Sequence, residues 1–324
     1  MQILSTSDAD IEKAAAALRA GQLVAFPTET VYGLGGDAFN QSALAKIFEA
    51  KKRPRFDPLI IHIAEMGTLS RIVDTASLGA LAGEKLGLLA GRLWPGPLTL
   101  VLPKHKELPD LATAGLATAA VRFPSDPIAQ KLIRLSTGAL AAPSANSFGC
   151  LSPTRAEHVA EQLGGMVDII IDGGKTPVGL ESTVLDLTGS RPLILRQGGT
   201  CREAIEALIG TVELSLEASL SPLSPGQLKK HYSPKTPLIL NKLGGMASIT
   251  GAPGEGRLYF SGKAEGTNVR VLSETGDLTE AAANLFDKLH ELDNLGLKFI
   301  RAEEAPALGL GEAINDRLRR AASR

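Results

Sequence analysis

Residues 22–38 read QLVAFPTETVYGLGGDA. Gln22 and the four apolar residues after it predict a buried strand over 22–26, stopped by Pro27. A loop rich in Thr and Gly follows. Hydroxyls and glycine-exposed backbone N–H groups therefore stand just beyond the carboxyl end of a strand, where open α/β sheets bind ligands. Working outward, residues 8–20 predict a helix that Ser7 or Asp8 can cap and Gly21 can stop. Residues 41–52 predict a second, capped by Asn40 and ended by Pro54. Strands are expected at 59–63, 98–102, 118–122, 139–142, 167–171, 183–187 and 193–196, with helices near 77–92, 126–135, 154–163 and 201–209. This interleaving places the chain in the α/β class.

At about 150 residues per domain, 324 residues predict two domains. The texture changes after residue 210. Residues 213–236 carry Ser and Pro with little periodicity and read as a linker. Strands at 237–241, 257–260, 268–272 and 297–301 then alternate with helices near 277–293 and 311–322. The expected organisation is a first domain over 1–210, a linker over 211–236 and a smaller α/β domain over 237–324. A net charge of −1 argues against a whole-surface polyanion binder but allows a local basic pocket. Aromatic residues at 4% argue against a stacking platform for single-stranded nucleic acid. Two cysteines, Cys150 and Cys201, cannot form a disulfide framework or a four-cysteine zinc site. No apolar run approaches the roughly 20 residues that span a bilayer, and the N-terminus lacks a signal-peptide pattern. A cytoplasmic protein with no membrane partner is expected.

Six clusters could carry chemistry. The glycines of residues 33–36 match neither a P-loop nor a dinucleotide fingerprint, so they also read as an ordinary turn. Lys51-Lys52-Arg53 at a helix end is either a solvated cap favoured by the dipole or a phosphate clamp. His62 on an apolar strand reads first as a satisfied core histidine. Arg122 closes another strand, beside Thr113-Ala114-Gly115-Leu116, and either snorkels or pins a carboxylate. Ala141-Ala142-Pro143-Ser144-Ala145-Asn146 places short polar groups at a strand tip, while Ser152 or Thr154 could cap the next helix. Ser144 lies in no Gly-x-Ser-x-Gly elbow and is not a hydrolase-type nucleophile. Turns at Asp172-Gly173-Gly174, Glu181-Ser182-Thr183 and Arg196-Gln197-Gly198-Gly199 form the fifth cluster. The sixth, Lys229-Lys230-His231-Tyr232, is a basic-aromatic run inside the linker. Metal-ligand motifs such as HExxH and CxxC are absent, though a divalent cation could arrive with a nucleotide.

Taken in order, FPTETVYGLGGDA, AKKRPRFDPLIIHI, LWPGPLTLVLP, TAGL, AVRFPSDPIA, AAPSANSFG, LSPT, IIDGG, GLESTVLDL and LRQGG resemble the YrdC-like family of L-threonylcarbamoyladenylate synthases. SPGQLKKHYSP and GLGEAINDRLRRAA resemble its long, two-domain form; the likeness is weakest between residues 240 and 305. The resemblance implies an open, twisted, mixed sheet with helices, followed by a Rossmann-like α/β domain. It implies that L-threonine, bicarbonate and ATP, with Mg2+ accompanying ATP, yield L-threonylcarbamoyl-AMP, pyrophosphate and water. A separate transferase complex would carry the product to position 37 of tRNA; direct tRNA binding is left open.

By motif position the resemblance places Thr28, His62, Arg122, Ala142 and Ser182 on threonine. It places Lys51, Arg53, Thr113, Ser144, Asn146, Ser152, Arg196 and Tyr232 on ATP, with Tyr232 reaching back from the linker to close the cleft. Metal ligands are not assigned. Asp57 stands where the family usually has Asn; a carboxylate near phosphate is unfavourable unless it faces a cation, so it is left out of the site. Gln227 and Leu228 depart from the usual linker pattern, and Ser233 replaces a common Ala. Two rival readings are a non-catalytic double-stranded RNA-binding or ribosome-maturation module and a carbamoyl-transfer enzyme of hydrogenase maturation. Near-neutral charge weighs against the first, and the lack of cysteine-rich zinc motifs against the second.

Overall fold

The computed structural model describes residues 1–215, 231–246 and 249–323. The first part of the chain builds one open sheet from β1 (Gln2–Leu4), β2 (Val24–Phe26), β3 (Gly33–Asp37), β4 (Ile60–Ile63), β5 (Leu98–Pro103), β6 (Thr118–Arg122), β7 (Ala139–Ala141), β8 (Ile169–Ile171), β9 (Thr183–Asp186), β10 (Leu193–Arg196) and β11 (Glu213–Leu214). The strands lie in the order β1-β8-β2-β3-β7-β4-β6-β5-β9-β10-β11, with parallel and antiparallel neighbours mixed. β11 adds parallel to β10, so the first sheet runs past the expected boundary at residue 210.

Helices α1 (Asp8–Arg19), α2 (Gln41–Lys51), α3 (Ala80–Leu93), α4 (Asp110–Thr113), α5 (Pro127–Leu135), α6 (Ala156–Leu163) and α7 (Arg202–Ile209) fall between these strands. The main core packs residues of α2, α3, α4, α6 and α7 on one side of the sheet, and α1 and α5 build a second cluster. The expected caps form on α1 and α2: Ser7 accepts from Asp10 N, and Asn40 from Ser42 N and Ala43 N. Helix α2 ends earlier than its proline, because Lys52 turns left-handed at φ 53° and breaks the hydrogen-bond ladder before Pro54 is reached. Neither Ser152 nor Thr154 caps α6. Arg155 occupies that position without a side-chain cap, and Thr154 sits against His158 of the same helix.

β3 is a strand where the sequence read only a loop. Its glycines are packed rather than turned: a Cβ on Gly35 would lie 2.7 Å from the Phe26 ring. The strand is glycine-rich because a neighbouring ring fills the space its side chains would need.

The second part of the chain builds a parallel sheet in the order β12-β15-β13-β14, from β12 (Leu238–Asn241), β13 (Glu255–Ser261), β14 (Val269–Ser273) and β15 (Phe299–Glu303). Helices α8 (Leu278–Asp293) and α9 (Leu310–Ala322) share its core with Val31, Leu151 and Leu180 of the first part and Tyr232 of the linker. The two parts also meet through charge. Asp287 of α8 pairs with Arg155 at 2.7 Å and Lys175 at 3.2 Å, and the His158 and His290 rings stack 3.8 Å apart. The expected linker is tied down at its end: Ser233 N donates to Gly149 O, and Lys235 N and Thr236 N donate to the Asp293 carboxylate. Gln227 and Leu228 lie outside the described residues.

Candidate functional site

Side chains alternate across a strand, so on β4 Ile61 and Ile63 enter the core while Ile60 and His62 face the other way. β6 repeats this with Ala119 and Val121 inward and Arg122 outward. Register aligns the outward residues: His62 pairs with Arg122, Arg122 with Thr99, and Thr99 with Val184. A cleft lies over this row. The PTET loop after β2, the Pro143-Ser144 tip after β7, Glu181-Ser182 before β9, Arg196 at the end of β10, and His231-Tyr232 of the linker complete its lining.

Three arginines converge there, each nearly buried. Arg122 donates to Thr30 Oγ1 at 2.8 Å and pairs with Glu29 Oε2 at 2.7 Å. The two alternatives for Arg122 resolve in favour of pinning a carboxylate. Arg53 pairs with Asp57 Oδ1 at 2.9 Å and donates to the Asp57 and Pro58 carbonyls. Arg196 donates to Ser182 O at 2.9 Å and Ser182 Oγ at 3.1 Å. Burial pulls the pKa of Arg53 and of Arg196 below the usual guanidinium value, while nearby Asp57 and Glu181 push back. Asp57 thus faces a cation, the condition that makes a carboxylate tolerable here; burial still raises its pKa.

His62 is held neutral, its pKa pushed down to about 3 by burial and then by Arg122. Its Nδ1 lies 3.3 Å from the Ile60 carbonyl, which can only accept, so the ring carries its proton there and presents Nε2 as an acceptor. Thr28 Oγ1 shares a 2.8 Å hydrogen bond with Thr30 Oγ1 and donates to Val31 O, and Ser182 Oγ sits 2.7 Å from Thr99 Oγ1.

Nine of the expected residues line the cleft: Thr28, Arg53, His62, Arg122, Ala142, Ser144, Ser182, Arg196 and Tyr232. Three stand behind its wall. Lys51, fully buried, donates to the backbone carbonyls of Ser144 and Asn146, and burial then Arg53 drive its pKa far down. Asn146 donates to Ser147 O and Cys150 O, and Ser152 Oγ donates to Glu181. Thr113 lies apart, its hydroxyl turned onto the Asp110 and Leu116 carbonyls of its own turn.

Sequence reasoning missed Thr30, Glu181, His231 and Arg317. Thr30 and Glu181 sit inside motifs already singled out. Arg317 sits in α9, remote in sequence, and its approach to the cleft is a tertiary fact. Gly198 shows how tightly two of the motifs approach: a Cβ there would lie 2.3 Å from Glu181 O. Tyr232 adopts φ 59°, a costly conformation for a bulky residue, and its ring packs on Phe286 of α8.

Two family profiles cover the chain. One, described as Telomere recombination, matches residues 16–198; the other, described as the C-terminal domain of threonylcarbamoyl-AMP synthase, matches residues 201–323. The chain is 43% identical over 334 residues to threonylcarbamoyl-AMP synthase of Bacillus subtilis strain 168, covering 98% of this chain and 94% of that one. It is 43% identical over 327 residues to the threonylcarbamoyl-AMP synthase of Pyrococcus abyssi, covering 96% and 93%. The solved structure of P. abyssi Sua5 complexed with L-threonine superposes with a TM-score of 0.90 at 40% identity, covering 99% of this chain and 98% of that one.

Proposed function

The chain belongs to the threonylcarbamoyl-AMP synthase family, and from that premise we infer how its cleft is used. The activity is that of the family, synthesis of threonylcarbamoyl-AMP as the first step of threonylcarbamoyladenosine formation in tRNA. L-Threonine, bicarbonate and ATP are the substrates. The observation that carries this reading is the convergence of Arg53, Arg122 and Arg196 in one cleft of a chain whose net charge is −1. All three substrates carry a carboxylate, carbonate or phosphate charge.

Threonine lies over the β4–β6 row. Arg122 exchanges Glu29 for its carboxylate, the neutral Nε2 of His62 accepts from its polar groups, and Thr28 and Ser182 bond to them. Ala142 leaves room for its side chain. ATP lies toward Arg53 and Arg196, with Ser144 beside it. Lys51, Asn146 and Ser152 act from behind by fixing the Ser144–Asn146 tip and Glu181. Thr113 completes the nucleotide site only if its turn shifts.

The amine takes up the bicarbonate carbon to give a carbamate, with loss of water. A carbamate oxygen then attacks the α-phosphorus, and pyrophosphate leaves. No covalent protein intermediate is needed. The protein contributes positioning and neutralisation of phosphate charge. Tyr232 covers the cleft and shields the labile carbamate from water.

Among the described residues no cluster of three or more His, Cys, Asp and Glu side chains is arranged to hold a metal. Asp57 and Glu181, the carboxylates beside Arg53 and Arg196, are already paired with Arg53 and Arg317. Mg2+ is taken to arrive on the ATP phosphates, held mostly by phosphate and water, where it would neutralise the departing pyrophosphate. Among the described residues no helix is long and apolar enough to cross a membrane, and both cysteines are free. A cytoplasmic setting, with the product passed to a separate transferase complex, goes with this reading.

The test is substrate omission. Pyrophosphate is expected only when ATP, threonine and bicarbonate are all present. Pyrophosphate released without threonine would contradict the reading.

A further inference from the structure

Glu181 is a buried carboxylate in the cleft wall, before β9. Burial alone would raise its pKa, yet Arg317 and then Arg196 hold it below the usual range. Arg317 pairs with it directly, and Arg196 is near enough to act on its charge, one guanidinium from each sheet-bearing part of the chain. Arg317 Nε donates to Glu181 Oε2 at 2.8 Å, and the Arg317 side chain is fully buried. The same guanidinium lies 4.8 Å from the centre of the Tyr232 ring. Its Nη1 pairs with Asp316 at 2.7 Å, and Asp316 with Arg320 at 2.9 Å, so the group is braced within α9. Ser152 holds the other carboxylate oxygen of Glu181.

One arginine of the C-terminal helix therefore touches both the carboxylate nearest Arg196 and the aromatic roof. We propose that Arg317 is a positioning residue for the nucleotide half of the cleft, drawing the Glu181 carboxylate away from Arg196 and seating Tyr232. The inference rests on the reading that Arg196 and Tyr232 face ATP. Without Arg317 the Glu181 charge falls on Arg196, the cation meant for phosphate, and the Tyr232 ring loses its cationic neighbour. The second part of the chain thereby reaches the chemistry without touching substrate, and nucleotide affinity depends on its docking.

The experiment is a double-mutant cycle in the full chain with Arg317→Ala and Glu181→Gln, reading KM for ATP, KM for threonine and kcat from pyrophosphate release. Arg317→Ala is expected to raise the ATP KM about tenfold or more and the threonine KM by less than about threefold. In the Glu181→Gln background, which removes the misdirected charge, the same substitution should raise the ATP KM by less than about threefold, the part owed to the lost Tyr232 contact. An equal ATP effect in both backgrounds, or equal rises for both substrates, would overturn the proposal. Should Arg317→Ala fail to fold by thermal melting, Arg317→Lys carries the same cycle, keeping the charge but losing the fork, with a smaller rise in ATP KM that Glu181→Gln again suppresses. Wild-type dependence on all three substrates is measured alongside. Its loss would sink the reading of the cleft, whereas additivity in the cycle sinks only the role of Arg317.

Discussion

Asp57 stands where the family resemblance leads one to expect Asn. Its carboxylate is buried against Arg53, four residues back along the chain. On the proposed placement of ATP beside Arg53, it lowers the positive charge offered to phosphate while it helps to solvate a buried guanidinium. Asp57→Asn should therefore lower the ATP KM roughly two- to fivefold through the stronger cationic field, and lower the melting temperature because a buried arginine loses its counter-charge. Initial-rate kinetics and a thermal melt check both; an unchanged ATP KM would show that Asp57 is electrically remote from phosphate. The fate of single residues was only partly readable in advance. Arg122 at a strand end could snorkel or pin a carboxylate. The choice came from register, which sets it beside His62 and Thr99, and from a loop that folds Glu29 onto it. Thr113 was placed by motif alone, and its hydroxyl turns inward to its own turn.

At the scale of elements, local chemistry predicted most of what formed. Apolar runs became strands, and Ser7 and Asn40 capped their helices. Failures occurred where a distant group decides the local structure. β3 is a strand because β2 and β7 pair with it on either side, and the Phe26 ring fills the space beside Gly35. Thr154 does not cap α6 because the helix starts one residue later, with Arg155 at the cap and Thr154 beside His158. The GLEST turn shows the same coupling across the molecule. Gly179 has φ 71°, and a Cβ on it would lie 2.6 Å from the Ala282 carbonyl of α8. Gly179→Ala is thus strained in its own backbone and collides with a helix of the other part. It should destabilise the protein by about 2–4 kcal/mol and lower kcat/KM by disturbing Glu181 and Ser182. Chemical denaturation checks this; a cost under about 0.5 kcal/mol would mean that the turn is free to move.

On the scale of the whole molecule, buried histidines sit both in the cleft, where His62 lies on β4, and where the two parts meet, where His158 stacks on His290. His62 and His158 have pKa values near 3, and burial also lowers those of His231 and His290. As pH falls, the unfolded chain takes up these protons before the folded one. Their stability contribution is intact above the ordinary histidine value and is lost as pH drops toward 3. At pH 5 His62 and His158 each cost about 2 kcal/mol. Glu181 and Asp287, held low by their arginine partners, act in the same sense at lower pH, while Asp57 and Asp126, whose pKa values are raised, oppose it. The melting temperature should fall between pH 7.5 and pH 5, and less steeply in His158→Gln, which removes one titrating ring of the His158–His290 stack. An equal fall in both proteins would place the acid sensitivity elsewhere. The α/β class was legible from the interleaving of strands and helices along the chain. That α9 returns to the cleft was not, because no local pattern encodes which distant helix a turn will meet. On the proposed reading the cleft's cations sort its anionic substrates, and calorimetric binding of ATP and of threonine to Arg53→Ala and Arg122→Ala tests this most directly. Arg53→Ala should weaken ATP at least about tenfold with threonine little changed, and Arg122→Ala should do the reverse; equal losses of both ligands in both variants would contradict the claim.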